Sequence, residues 1–160
     1  MALSTNSSAD MARGEYITYM PYVAVTYTNE LGEAEIVDPE VLGPELHSLI
    51  VAKSGARPET CRIRFIYTDD GWYIAGRTEE THQAVHIEIA LEAGRSADIR
   101  RTLSESVLAL FRTDLGSFPE FEVHLSVEVR DLDPDGYASH IEPARGALRD
   151  AIPHGAQATG

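Results

Sequence analysis

The stretch Val85–Val107, VHIEIALEAGRSADIRRTLSESV, changes its hydrophobic period part-way along. Val85, Ile87, Ile89 and Leu91 alternate with Ala84, His86, Glu88 and Ala90, the two-residue period of a strand with one apolar face. After Gly94-Arg95-Ser96 the period lengthens. Ile99, Leu103, Val107, Leu110 and Phe111 then fall on one stripe of a helix, with Ser96 placed as its N-cap and Gly116 as its stop. A further strand follows, in which Phe121, Val123, Leu125, Val127 and Val129 alternate with Glu122, His124, Ser126, Glu128 and Arg130. The whole segment is a strand–helix–strand unit.

The same plan precedes it. Val23, Val25 and Tyr27 alternate with Tyr22, Ala24 and Thr26 as a strand, followed by a polar loop, NELGEAEIVD. Pro44 suits the first position of a helix whose stripe is Leu46, Leu49, Ile50 and Lys53, closed by Gly55 and Pro58. Arg62-Ile63-Arg64-Phe65-Ile66-Tyr67 is the next strand, and Asp70-Gly71 predicts a hairpin turn into Trp72-Tyr73-Ile74. The expected fold is α+β: tandem β-α-β units, each a right-handed crossover, forming a four-stranded mixed sheet with two helices on one face, plus a short hairpin. The opposite face is left bare, with Arg62, Arg64, His86, Glu88, His124, Ser126 and Glu128 upon it. Its aromatic and β-branched neighbours favour cover by other subunits. Residues 1–14 have a tail's composition, 15–140 make one domain, and 141–160 form a second flexible tail.

Composition narrows the function. The chain of 160 residues carries a formal charge of −13, with 43% hydrophobic and 24% charged residues. That charge argues against nucleic acid, which needs clustered Lys and Arg, and it makes any arginine cluster informative. Cys61 is the only cysteine, so no internal disulfide forms and a reducing compartment fits. No apolar run reaches membrane-spanning length, and the first residues, MALSTNSSADMARGEY, lack a signal peptide's apolar centre. A cytoplasmic protein without membrane contact is expected.

Pro21 opening the first strand, CRIRFIY at 61–67, and VHIEIALEAGRSADIRRTLSESV together resemble the tautomerase superfamily, most closely 5-carboxymethyl-2-hydroxymuconate isomerase. The resemblance runs from Pro21 to about Asp131. It implies a cofactor-independent isomerase of aromatic catabolism, a homotrimer with active sites at subunit contacts, acting on a small anionic substrate of the 2-hydroxymuconate type. It further implies Pro21 as the catalytic base and Arg62 as the residue stabilising the dienolate. Arg64 and Arg95 would hold substrate carboxylates.

One departure bears on all of this. Twenty residues precede Pro21, and a proline nitrogen inside a chain is an amide with no basic lone pair. A free α-amine titrates at about 7.7–8.0, and neighbouring arginines lower it further, towards the range where a general base works best. A chain starting at Pro21, through translation from Met20 or trimming, would have that base. The alternative is that Glu15–Met20 lengthens the first strand. The fold would then serve as a small-molecule binding module, or catalyse other chemistry in a specialised pathway.

Other features point to less. Arg62 and Arg64 share one side of a strand, roughly 6.6 Å apart at about 3.3 Å per residue. They repel unless a dicarboxylate or Glu88 and Glu128 lie between them. His82 and His86 in HQAVH have the spacing of a zinc-binding helix but fall at a strand entrance, without the Glu after the first His, so no metal is expected. His124 fits a polar-face or subunit-contact position. Arg62 beside Cys61 could lower the thiol pKa, but no His-Asp partner is placed, so no nucleophile is expected.

Overall fold

A computed structural model of the chain describes residues 21–68, 76, 82–116, 122–140 and 142. The hairpin expected at Asp70-Gly71 lies outside the described residues, as do residues 1–14 and all of 141–160 except Glu142. The elements are β1 (Tyr22–Thr28), α1 (Asn29–Glu33), α2 (Pro39–Ser54), a 3-10 turn (Pro58–Thr60), β2 (Arg62–Thr68), β3 (His82–Glu92), α3 (Ala97–Leu115) and β4 (Glu122–Leu132).

The four strands form one mixed sheet in the order β2-β1-β3-β4. β1 runs parallel to β2, and β3 parallel to β4, while β1 and β3 pair antiparallel at the centre. Parallel neighbours require a crossover, and α2 and α3 supply the two. The expected α+β architecture is the observed one, with a third, short helix added.

Burial follows strand position. Val23, Val25, Val85, Ile87, Ile89 and Leu91 of the central strands are completely buried. So are Leu42, Leu46 and Ile50 of α2 and Leu103, Val107 and Phe111 of α3, which belong to the same cluster. Ile63 and Phe65 on β2, and Val123, Leu125, Val127 and Val129 on β4, are only partly buried because their strands are the sheet edges.

Three local expectations are corrected. The polar loop NELGE is α1: Leu31 is fully buried and anchors a turn whose other residues are half-buried or exposed. α2 begins at Pro39 rather than Pro44, because Asp38 is the cap and its Oδ1 accepts from the Glu40 N–H at 2.9 Å. Pro44 then lies inside the helix, and the buried stripe is Leu42, Leu46, Ile50 and Ser54, with Lys53 exposed. At the other end Gly55 adopts φ 70°, the left-handed C-cap, and donates to the Val51 carbonyl. In α3 the Ser96 hydroxyl caps the Ile99 N–H as expected, whereas Ile99 itself is 37% exposed.

Strand directions gather several termini at one edge of the sheet. Tyr22 pairs with Arg62 on one side and with Ala90 on the other, and Ala90 pairs with Arg130. β1 and β2 therefore begin where β3 and β4 end. The C-terminus of α2 and the N-terminus of α3 adjoin that same edge through the strands they connect.

Candidate active site

Pro21 is buried immediately before β1, and its carbonyl accepts the Arg62 N–H at 2.9 Å. This bond starts the parallel ladder and sets Arg62 beside Pro21. Strand alternation then turns Arg62 and Arg64 to the bare face, both exposed. The Arg62 guanidinium is braced from below, its Nη1 donating to the Glu59 carbonyl at 3.0 Å. Arg64 lies over the Tyr22 ring, with Cζ 5.6 Å from its centroid, a cation–π contact that holds the side chain against β1. Among the described residues neither arginine makes an ion pair with a carboxylate. Glu88 and Glu128 lie on the same transverse row as Arg64, but Ala24 stands between Arg64 and Glu88. Two guanidinium groups thus face solvent near Pro21, in a chain of net charge −13.

Arg95 adjoins the same sheet edge but turns into the helix layer. Its Nε donates to the Ser54 carbonyl at the end of α2, and its Nη1 to the Glu92 carbonyl, both at 2.9 Å. A cation at a helix C-terminus satisfies exposed carbonyls and complements the helix dipole. Pro21, Arg62 and Arg64 are brought together; Arg95 is fastened to α2, and Nη2 takes no part in its two bonds. Sequence reasoning missed this bracing role, and it missed Tyr22 as the platform for Arg64. The Tyr22–Arg64 contact is a cross-strand diagonal that becomes visible only once β1 and β2 are in register.

Cys61 is buried and its pKa is raised: desolvation outweighs the opposing pull of Arg62, the reverse of the lowered value expected from adjacency alone. His82 and His86 are four residues apart on one strand, about 13 Å, too far to share an ion. A groove of about 910 Å³ lies between α2 and α3, lined by Pro44, Leu49, Leu110 and Asp114 among others. It is on the helix layer, away from the arginines.

A model of the 5-carboxymethyl-2-hydroxymuconate isomerase family matches residues 21–142, its first matched residue being Pro21. The chain belongs to this family. Membership in the 5-carboxymethyl-2-hydroxymuconate isomerase family supports an isomerase activity of the tautomerase kind. The fold is shared with a 5-carboxymethyl-2-hydroxymuconate isomerase from Deinococcus radiodurans R1, at 22% identity and a TM-score of 0.67, over 79% of this chain and 93% of that one. It is shared also with a 5-carboxymethyl-2-hydroxymuconate delta-isomerase, at 16% identity and a TM-score of 0.62, covering 89% and 99% of the two chains. A member of the cis-3-chloroacrylic acid dehalogenase family is similar at 21% identity and a TM-score of 0.53, covering 82% and 92%. No curated protein matches significantly by sequence. Among the described residues, no helix is long and apolar enough to cross a membrane.

Proposed function

We propose that this chain, when Pro21 is its first residue, moves a proton within a small unsaturated hydroxy- or keto-dicarboxylate of the 2-hydroxymuconate type. The observation that carries this reading is the pair of guanidinium groups, Arg62 and Arg64, set beside Pro21 in an acidic chain and without a carboxylate partner among the described residues. The substrate class follows from the family name and from the two charges that have to be matched.

The Pro21 secondary amine takes a proton from the substrate hydroxyl or an acidic C–H and becomes an ammonium. It then returns that proton to a different carbon. Arg62 stabilises the negative charge that develops on the dienolate oxygen, and its bond to the Glu59 carbonyl fixes the guanidinium in advance. Arg64, flattened on Tyr22, and Arg95, through the edge not bonded to Ser54 and Glu92, hold carboxylates. The arginines handle all the developing charge, so the scheme needs no cofactor.

Three copies sharing their bare faces complete the pocket in this reading. The face is divided by charge: Arg62 and Arg64 on β2 at one side, Glu88 and Glu128 on β3 and β4 at the other, with Arg130 at the end of β4. A head-to-tail contact that closes into a ring satisfies such a division.

Intact mass of untagged protein from its own host, paired with ketonisation rates for chains starting at Met1 and at Pro21, tests the proposal. The Pro21 chain should turn over 2-hydroxymuconate and lose activity in Pro21→Ala. Equal turnover by a chain that retains residues 1–20 would remove proline as the base. The Met20–Pro21 amide favours a second reading in which the extension stays and the arginines only bind a dicarboxylate. Saturable binding without turnover by the mature protein would establish that one.

A further inference from the structure

Away from the arginines, the bare face holds a second group of chemically able side chains, and it is independent of the proton-transfer reading. His82 and Glu122 are the first residues of β3 and β4 and are register partners, while His124 lies two residues along β4, opposite Ala84. Ala84 is small enough to let the His124 ring lean towards His82; the ring centroids are 6.1 Å apart with planes inclined at 52°. Glu122 Oε1 lies 3.0 Å from His124 Nε2 and 3.7 Å from His82 Nδ1. One donor atom from each of the three residues falls within 4.8 Å of the other two.

We propose that His82, Glu122 and His124 bind one divalent transition-metal ion of the zinc class. Zinc–ligand bonds of about 2.0–2.2 Å place tetrahedral ligands about 3.3 Å apart, close to the 3.0 and 3.7 Å that separate Glu122 Oε1 from the two imidazole nitrogens. Two imidazoles and one carboxylate, with a fourth position for water, are the donors such ions prefer. Magnesium and calcium prefer all-oxygen sets. Burial divides the labour: the His82 side chain is only 12% exposed and held by its strand, whereas Glu122 and His124 are 65% and 46% exposed and free to close on an ion. In the absence of metal His124 Nε2 and Glu122 Oε1 are joined by a hydrogen bond, which coordination replaces.

The site is at the far end of the sheet from Pro21, since β3 and β4 begin where β1 and β2 finish. Within one chain the ion would therefore touch none of the residues assigned to proton transfer. A second cluster, His86 with Glu88 and Glu128, is poorer. There His86 Nδ1 is engaged 2.7 Å from Ser126 Oγ, and the two carboxylates are directly opposed.

Calorimetric titration of untagged, chelator-stripped full-length protein with zinc chloride tests the proposal. One ion per chain at low-micromolar affinity is expected, undiminished by excess magnesium. His124→Ala and Glu122→Gln should each weaken it by at least about tenfold, the lower end of what even an outer-shell partner contributes. Both positions are exposed, and unchanged circular dichroism would show that the variants fold. His86→Ala should leave affinity unchanged, and cobalt substitution should give a visible absorption band that His124→Ala removes. Absence of stoichiometric zinc binding overturns the site. So does binding that survives both ligand variants, or that His86→Ala abolishes.

Discussion

At the scale of single residues, Arg62 is the most consequential side chain in the proposed mechanism. It is fixed twice, its N–H to the Pro21 carbonyl and its guanidinium to the Glu59 carbonyl. The backbone bond does not depend on the side chain, so Arg62→Ala should retain the fold and lose transition-state charge stabilisation, about 100-fold in kcat. Steady-state kinetics on the Pro21-first chain measures this, and a loss under about tenfold would take Arg62 out of the mechanism.

Two buried acids make a separate prediction about pH. Burial raises the Tyr27 pKa above its ordinary 10.0, with Tyr67 and Asp38 adding to the rise, and burial raises the Cys61 pKa above 9.0 against the pull of Arg62. In both cases the folded state keeps its proton at a pH where the unfolded state has lost it. Their contribution to stability is therefore complete below about pH 9 and is lost as the pH rises through the folded values. Urea unfolding between about pH 8 and pH 11 should show falling stability, with a shallower alkaline limb in Tyr27→Phe. An unchanged slope in that variant would mean that Tyr27 ionises equally well in both states.

At the scale of elements, α2 shows what the sequence carried and what it did not. The stop at Gly55 was legible because a glycine after an apolar stripe serves as a left-handed cap. The start was not, since both Pro39 and Pro44 suit a first turn and only the Asp38 cap decides between them. α1 was unreadable for another reason: one buried leucine, Leu31, makes no stripe. β3 and β4 were read correctly from alternation alone, which also put Arg62 and Arg64 on a common face. Period does not reveal register, so the meeting of His82 with Glu122, and of Tyr22 with Arg64, had no sequence signal. Alternation also set Arg95 in the turn between β3 and α3, but its attachment to Ser54 depends on where α2 ends.

The glycines of α2 answer to the backbone rather than to space. A Cβ at Gly43 would meet Phe65 Cε2 at an ordinary 3.8 Å, but Pro44 follows it inside the helix, and a proline ring disfavours helical backbone in a preceding residue that carries a Cβ. Gly43→Ala should therefore gain little, the clash offsetting the helix-propensity advantage of about 0.5–1 kcal/mol. Gly55 has open space around it but a φ of 70°, so Gly55→Ala should destabilise by about 1 kcal/mol despite the room. Chemical denaturation measures both. Stabilisation by Gly55→Ala would mean that side-chain space, rather than backbone conformation, controls this end of the helix.

At the scale of the whole molecule, the question is what the bare face does. Glu88 and Glu128 are register partners, and like charges directly opposite destabilise an isolated sheet. Within one chain Arg64 is kept from them by Ala24. A neighbouring copy could instead bring its β2 arginines to the acidic half. Glu128→Arg separates the two effects. Inside the chain it places a cation opposite Glu88 and should leave the fold at least as stable. Between chains it sets cation against cation and should break the ring. Light scattering is expected to give three chains for the parent protein and one for Glu128→Arg, with the parent loosening as salt screens the contact. Retention of the parent's mass by a folded Glu128→Arg protein would show that these charges do not hold subunits together, and the shared-pocket arrangement would lose its physical basis.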